Sequence, residues 1–187
     1  MADWSPISEA QAIREWGLAE IVSDKLPIGS FPQLEPLRTR VREVGRLGLT
    51  DTEWRALEEI ARAYRASMID PLLELRPTWY EGGEFAVEEL LGVRIINDQG
   101  FIQRAPSRIL KDLCGEPTPG IPEFDRAKMN ARPILLGSSL GGPWCLVDGY
   151  GRCCRAIRDH RAGRFDGRSI PAIVSVTPRA AEWVWWR

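Results

Sequence analysis

Three short apolar runs in the last third of the chain constrain its fold more than any other feature. They are Pro133-Ile134-Leu135-Leu136, Trp144-Cys145-Leu146-Val147 and Ile170-Pro171-Ala172-Ile173-Val174-Ser175-Val176. Each is too short for a helix and apolar enough for a buried strand. Between the second and third runs lies the turn Val147-Asp148-Gly149-Tyr150-Gly151-Arg152. After it, Cys153, Ala156, Ile157 and His160 recur at the spacing of a helix face resting on a core. The pattern predicts strand, tight glycine turn, helix and strand, a βαβ-like unit. Its turn delivers a helix N-terminus, where free N–H groups and the positive end of the helix dipole favour an anion or phosphate.

With 187 residues, 44% of them hydrophobic, the chain can bury one good core with a helical region attached. A formal net charge of -1 gives no global drive toward nucleic acid or an anionic membrane. Arg152, Arg155, Arg158, Arg161, Arg164 and Arg168 nevertheless crowd one segment. No apolar run approaches the roughly 20 residues that span a bilayer. The start, Met1-Ala2-Asp3-Trp4, has neither the basic nor the apolar part of a signal peptide. The expected location is the cytoplasm. Lysine occurs only at 25, 111 and 128 while arginine abounds, as expected of a GC-rich, bacterial gene.

Cys114, Cys145, Cys153 and Cys154 make no CxxC pair, and with His160 the sole histidine no zinc spacing arises. No metal ligand set is assigned. The cysteines are expected to be small buried thiols. Cys153, in the first turn of the helix after Gly151, is the one with a candidate reactive role.

The first half reads as helical. Ser8-Glu9-Ala10-Gln11 has capping-box form, and the helix it opens is expected to end at Gly17. A second helix is expected from Leu37 to about Arg46. Thr50-Asp51-Thr52-Glu53 is another capping box. It opens a helix carrying Trp54, Leu57, Ile60, Ala61, Tyr64 and Met68 on its core face and stopped by Pro71. Gly82-Gly83 marks the boundary between a helical region, 1–81, and an α/β region, 82–187.

The stretches 93–96 and 101–103 suggest a hairpin across Asn97-Asp98-Gln99-Gly100. Ser107 to Leu113 suggests a short helix. Cys114 to Pro122 suggests a surface loop, and Phe124 to Met129 one or two helical turns. Gly137-Ser138-Ser139-Leu140-Gly141-Gly142 lacks the lysine and spacing of a phosphate loop and reads as a hairpin connection. The sequence holds neither GxSxG nor HExxH.

Taken together, Arg132-Pro133-Ile134-Leu135-Leu136, then Leu146-Val147-Asp148-Gly149-Tyr150-Gly151-Arg152, then Ser169-Ile170-Pro171-Ala172-Ile173-Val174 resemble the ParB/sulfiredoxin superfamily over about residues 120–180. That family has a "PI-hydrophobic" strand, a strand ending in G-x-x-R at a helix start, and an "IPA-hydrophobic" strand. Its members include sulfiredoxins, partition CTPases, nucleases and free-serine kinases. The resemblance implies an α+β fold, a small mixed sheet with packed helices preceded here by the helical N-terminal region.

It also implies ATP or another nucleoside triphosphate with Mg²⁺, bound where the G-x-x-R turn meets its helix. Gly149 matches the family glycine and Arg152 the phosphate-binding arginine. Tyr150 stands where sulfiredoxins carry the catalytic cysteine and partition proteins a glutamate, and Gly151 where the family has histidine or arginine. These departures weigh against sulfinic-acid reduction and against a CTP switch.

The expected catalytic residues are therefore Asp148, Tyr150 and Arg152. The expected nucleotide-binding residues are Gly149, Gly151, Arg152, Cys153, Ser138 and Ser139. Glu84, Glu88 and Asp125 are candidates for a general base or a Mg²⁺ ligand. The expected activity is phosphoryl transfer or NTP hydrolysis, a kinase or NTPase acting on a small polar substrate. The alternatives are a non-catalytic nucleotide- or partner-binding regulator, and a nucleic-acid-binding or nuclease protein, which the overall acidity disfavours. No membrane association is expected. From Thr177-Pro178, a C-terminal helix rich in tryptophan is expected to dock on the body of the protein or to form a homodimer contact.

Overall fold

The computed structural model describes residues 3–22, 26, 29, 31–115, 131–164 and 169–186. In chain order its elements are β1 (Ser5–Ile7), α1 (Glu9–Val22), α2 (Leu34–Val44), α3 (Asp51–Tyr64), α4 (Ala66–Leu73), β2 (Thr78–Glu81), β3 (Glu84–Ala86), α5 (Val87–Leu91), β4 (Arg94–Ile95), α6 (Gln99–Arg104), α7 (Leu110–Leu113), β5 (Ile134–Gly137), β6 (Trp144–Asp148), α8 (Tyr150–Arg161), β7 (Ser169–Pro171) and β8 (Ile173–Val176). Six strands form a mixed sheet in the order β1-β2-β8-β5-β6-β4, and β3 pairs with β7 in a separate antiparallel ribbon. The fold class is α+β.

The apolar runs are continuous because the sheet is covered on both faces. Successive residues of a strand point to opposite sides. Ile134, Leu136, Cys145, Val147 and Ile173 join one core with α1, α4 and the C-terminal tryptophans. Leu135, Leu146 and Val174 join another with α5, α7 and α8.

The unit foreseen as βαβ-like has a different geometry. β5 lies between β6 and β8, antiparallel to the first and parallel to the second, so β6 and β8 run in opposite directions. The parallel neighbours of β5 and β6 are β8 and β4. The first 81 residues supply strands as well as helices: β1 and β2 extend the sheet from β8.

Both capping boxes form. Ser8 Oγ accepts from Gln11 N while Gln11 Oε1 accepts from Ser8 N. Thr50 and Glu53 do the same at the start of α3, and the bonds from Thr50 hold the Glu53 carboxyl below its ordinary range. Thr50→Ala removes the cap acceptor and is expected to cost about 1 kcal/mol, read as a lower urea midpoint with unchanged slope.

Gly17 does not end α1. The helix runs on to Val22, because Gly17 is where α1 crosses α3. A Cβ there would lie 2.0 Å from the Leu57 carbonyl oxygen. The helix is buried nearly all round, and its buried carboxylates are paired. Glu20 takes a two-pronged bond from Arg65, 2.6 and 3.0 Å long, while Glu15 accepts from Arg132 at 3.1 Å and from Arg46.

Pro71 does not stop the long helix either. The break comes at Arg65, and Pro71 sits inside α4. A proline has no N–H for the carbonyl four residues back, which leaves Ser67 O free. The Trp185 indole N–H donates to it at 3.2 Å, and the Trp183 indole N–H reaches Met68 O at 3.4 Å. The C-terminal segment thus docks as foreseen, with Trp183 and Trp186 buried. It does so as a 3-10 turn, Ala180–Glu182, not as an α-helix.

The hairpin expected at 93–103 is also replaced. β4 pairs with β6, and Asp98 caps α6, its Oδ1 accepting from Gly100 N and Phe101 N. The loop 138–143 is the β5–β6 hairpin connection. The helical turns expected at 124–129 and most of the loop at 114–122 lie outside the described residues.

Candidate functional site

β4 and β6 are parallel neighbours at one edge of the sheet, and the chain leaves both at the same end. A crevice outside the carboxyl ends of parallel strands is the usual ligand site of an α/β sheet. Here that end carries Ile96-Asn97-Asp98 after β4 and Asp148-Gly149-Tyr150 after β6. A cleft of about 400 Å³ opens there, between the sheet end and the helices α1 and α4. Asp98, Phe101, Val147, Asp148 and Tyr150 line it from the sheet side. Trp16, Arg65, Met68 and Trp185 close it from the helical side.

Gly149 creates the turn. Its φ of 100° and ψ of 18° are left-handed, a region that glycine enters without steric cost. Its missing side chain admits Pro133, whose Cβ and Cα would lie 2.7 and 2.8 Å from a Cβ at 149. The register that sets Ile134 opposite Asp148 enforces this contact. As the N-cap of α8, Gly149 offers no side-chain acceptor. The first N–H groups of the helix therefore stay available to a ligand or water. Gly151 is different, for it lacks a positive φ and a Cβ there would meet open space. It is an ordinary helical position.

Arg152 and Asp148 are neighbours, joined by a 2.8 Å bond from Arg152 Nη2 to Asp148 Oδ2, and each side chain is mostly covered. Asp148 lines the cleft, and Arg152 is held beside it in the first turn of α8.

Tyr150 lines the cleft with its ring, stacked on Phe101 at 4.3 Å, but its hydroxyl is committed. It accepts from Ile96 N at 3.1 Å and donates to Leu146 O, stitching the end of β4 to β6. Burial pushes the phenol's pKa well up, so no phenolate is on hand. Tyr150→Phe is expected to lower stability by about 1 kcal/mol, since the Ile96 N–H and Leu146 carbonyl lose their shared partner. Ligand affinity should change less than twofold. Paired melts and titrations of the two proteins check both.

The remaining expected residues lie elsewhere. Cys153 is fully buried, and burial drives its thiol up to about 12. It faces the core and cannot touch a ligand at the turn. Ser138 and Ser139 both donate to Gly142 O. Their loop sits beside Trp144 at the opposite end of the hairpin, roughly 13 Å from Asp148 at about 3.3 Å per residue. Glu88 pairs with His160, about 15 Å along α8 from Tyr150 at 1.5 Å per residue. Glu84 accepts from Ser169 in the separate ribbon, and Asp125 lies outside the described residues. All four cysteines are buried free thiols.

The helical wall was not foreseen. Arg65 enters the cleft from the α3–α4 break, its guanidinium 4.9 Å from the Tyr64 ring centroid. Burial works to lower its pKa, but the bonds and charge of Glu20, with the charge of Asp148, outweigh this and raise it. Trp16, Asp98, Phe101 and Trp185 also join the site. Among the described residues no group of three or more His, Cys, Asp or Glu side chains converges to hold a metal ion. None of the described helices is long and apolar enough to cross a membrane.

Comparisons with protein-family models, with curated proteins and with solved structures find no match to this chain. The site must be read on its own geometry.

Proposed function

We propose that the protein is a nucleotide-dependent enzyme of the ParB/sulfiredoxin type, catalysing phosphoryl transfer or NTP hydrolysis on a small polar substrate. The observation that supports this most is the Gly149 turn. An N-terminus without a side-chain cap and a mostly covered arginine lie within five residues of the β6 end, and Asp148 and Tyr150 from the same stretch line an aromatic cleft. The first N–H groups of α8 and the Arg152 guanidinium would take the phosphates, and the cleft would take the substrate. Asp148 engages Arg152 through one oxygen. Its other oxygen suits Mg²⁺, which is commonly held by one or two carboxylates together with substrate phosphates. The ion would supply charge neutralisation at the phosphates.

Arg152→Ala is expected to weaken ATP or its equivalent by roughly ten- to a hundredfold, the worth of one charged donor. Arg152→Lys should recover little, because an ammonium lacks the planar fork. Calorimetry of both variants with each NTP and Mg²⁺ tests the binding, and phosphate release tests the turnover. Equal affinities in wild type and Arg152→Ala would remove the phosphate reading.

A second reading, a non-catalytic binding protein, is favoured by one observation. The Tyr150 hydroxyl, at the position matching the family's catalytic cysteine, is spent on the fold. Saturable NTP binding without phosphate release on any substrate would select it.

A further inference from the structure

The cleft itself has a charge pattern that names a ligand class. Its walls are aromatic. The Trp16 indole is buried behind it, the stacked rings of Phe101 and Tyr150 form one side, and Trp185 is fixed on the other by its bond to Ser67 O. Arg65 is the one lysine or arginine among the lining residues described, and Glu20 already neutralises it with two bonds. The two lining acids are differently placed. Asp148 is bonded by Arg152 through Oδ2 alone, and Asp98 receives two backbone N–H groups on Oδ1 alone. Their second oxygens have no hydrogen-bond partner among the described residues. The charged lining residues are one cation, Arg65, and two carboxylates, Asp98 and Asp148, so the lining itself carries one negative charge in excess.

A pocket lined by aromatic rings and by the spare oxygen of Asp98 stabilises a positive group in two ways. The ring quadrupoles attract a cation held over them. The Asp98 carboxylate attracts it more strongly in a half-enclosed cleft than in water. An anion would meet the excess negative charge, and a neutral ligand would gain from burial alone. We infer that the cleft binds the ammonium group of a small organic amine, primary or quaternary, with its body against the rings.

Naming that amine as the substrate rests on the function proposed above, but the binding needs no nucleotide. The test is a titration of the whole protein with choline, ethanolamine and dimethylbutanol, the uncharged isostere of choline, followed by tryptophan emission and calorimetry. At least one of the two amines should bind saturably and at least about tenfold tighter than dimethylbutanol. Asp98→Asn keeps a capping side chain on α6 and removes the charge. It should weaken the amine about tenfold, leaving the melting temperature and the dimethylbutanol affinity in place.

Failure of both amines to bind, or equal affinities for amine and isostere, would overturn the inference. So would an Asp98→Asn protein that melts normally and binds the amine unchanged. Amine binding without any NTP binding would sink the nucleotide reading and leave this one standing. NTP binding without amine binding would do the reverse.

Discussion

Gly17→Ala is expected to destabilise the protein by about 3 kcal/mol or more, the upper end for overpacking a tight contact. At about 2–4 °C per kcal/mol for a chain of this size, the melting temperature should fall by roughly 6–12 °C. By propensity alone the change should help, since alanine is worth about 1 kcal/mol over glycine inside a helix. The contact decides otherwise. The Leu57 carbonyl oxygen would lie 2.0 Å from the new Cβ, with its carbon at 2.6 Å. A backbone group in the middle of α3 has no rotamer to escape into. The two helices would have to separate, and the buried pair of Glu20 with Arg65 would separate with them. Thermal and urea denaturation of wild type and variant measure the loss. An unchanged or raised melting temperature would show that α1 and α3 do not cross at this residue.

Gly149→Ala should cost roughly 2–4 kcal/mol, combining about 1–2 kcal/mol for a left-handed alanine with the crowding against Pro133. The new Cβ would also come within 3.1 Å of Arg152 Nη2. The damage should therefore extend from stability to the nucleotide affinity proposed for this turn. Gly151→Ala is the matched control, two residues away in the same turn. With right-handed backbone and open space around it, it should be neutral or stabilising by up to about 1 kcal/mol. Parallel denaturation and NTP titration of the pair separate the two glycines. If both behave alike, the turn does not depend on the conformation of Gly149.

These two glycines mark how far the sequence can be read. Gly149 was legible because its neighbours announce a strand before it and a helix face after it. Gly17 looked like a helix stop because nothing local distinguishes a terminating glycine from one that admits a neighbouring helix. Its partner, Leu57, lies 40 residues away. The capping boxes at Ser8 and Thr50 were legible for the opposite reason, since donor and acceptor sit three residues apart.

Asp98 gave an ambiguous signal. The same short side chain that opens a turn also caps a helix, and the parallel partner of β4, some 50 residues on, decided the outcome. The stretch Asp148 to Arg152 was singled out from its local pattern, whereas the far wall of the cleft beside it was not. Trp16, Arg65 and Trp185 come from three distant segments. The bond that fixes Trp185 depends on an N–H that Pro71 lacks. Ser138 and Ser139 were expected at the site because they come from the strand connection just before β6. The antiparallel turn at that point carries them to the other end of the sheet.

A crystal structure with a non-hydrolysable NTP and Mg²⁺ tests the proposed phosphate site at the Gly149 turn. Phosphate density is expected against the N–H groups of residues 150–152, with the Arg152 guanidinium turned onto a phosphate oxygen. Nucleotide density well away from residues 148–152, or an empty turn in crystals grown at saturating nucleotide, would contradict it.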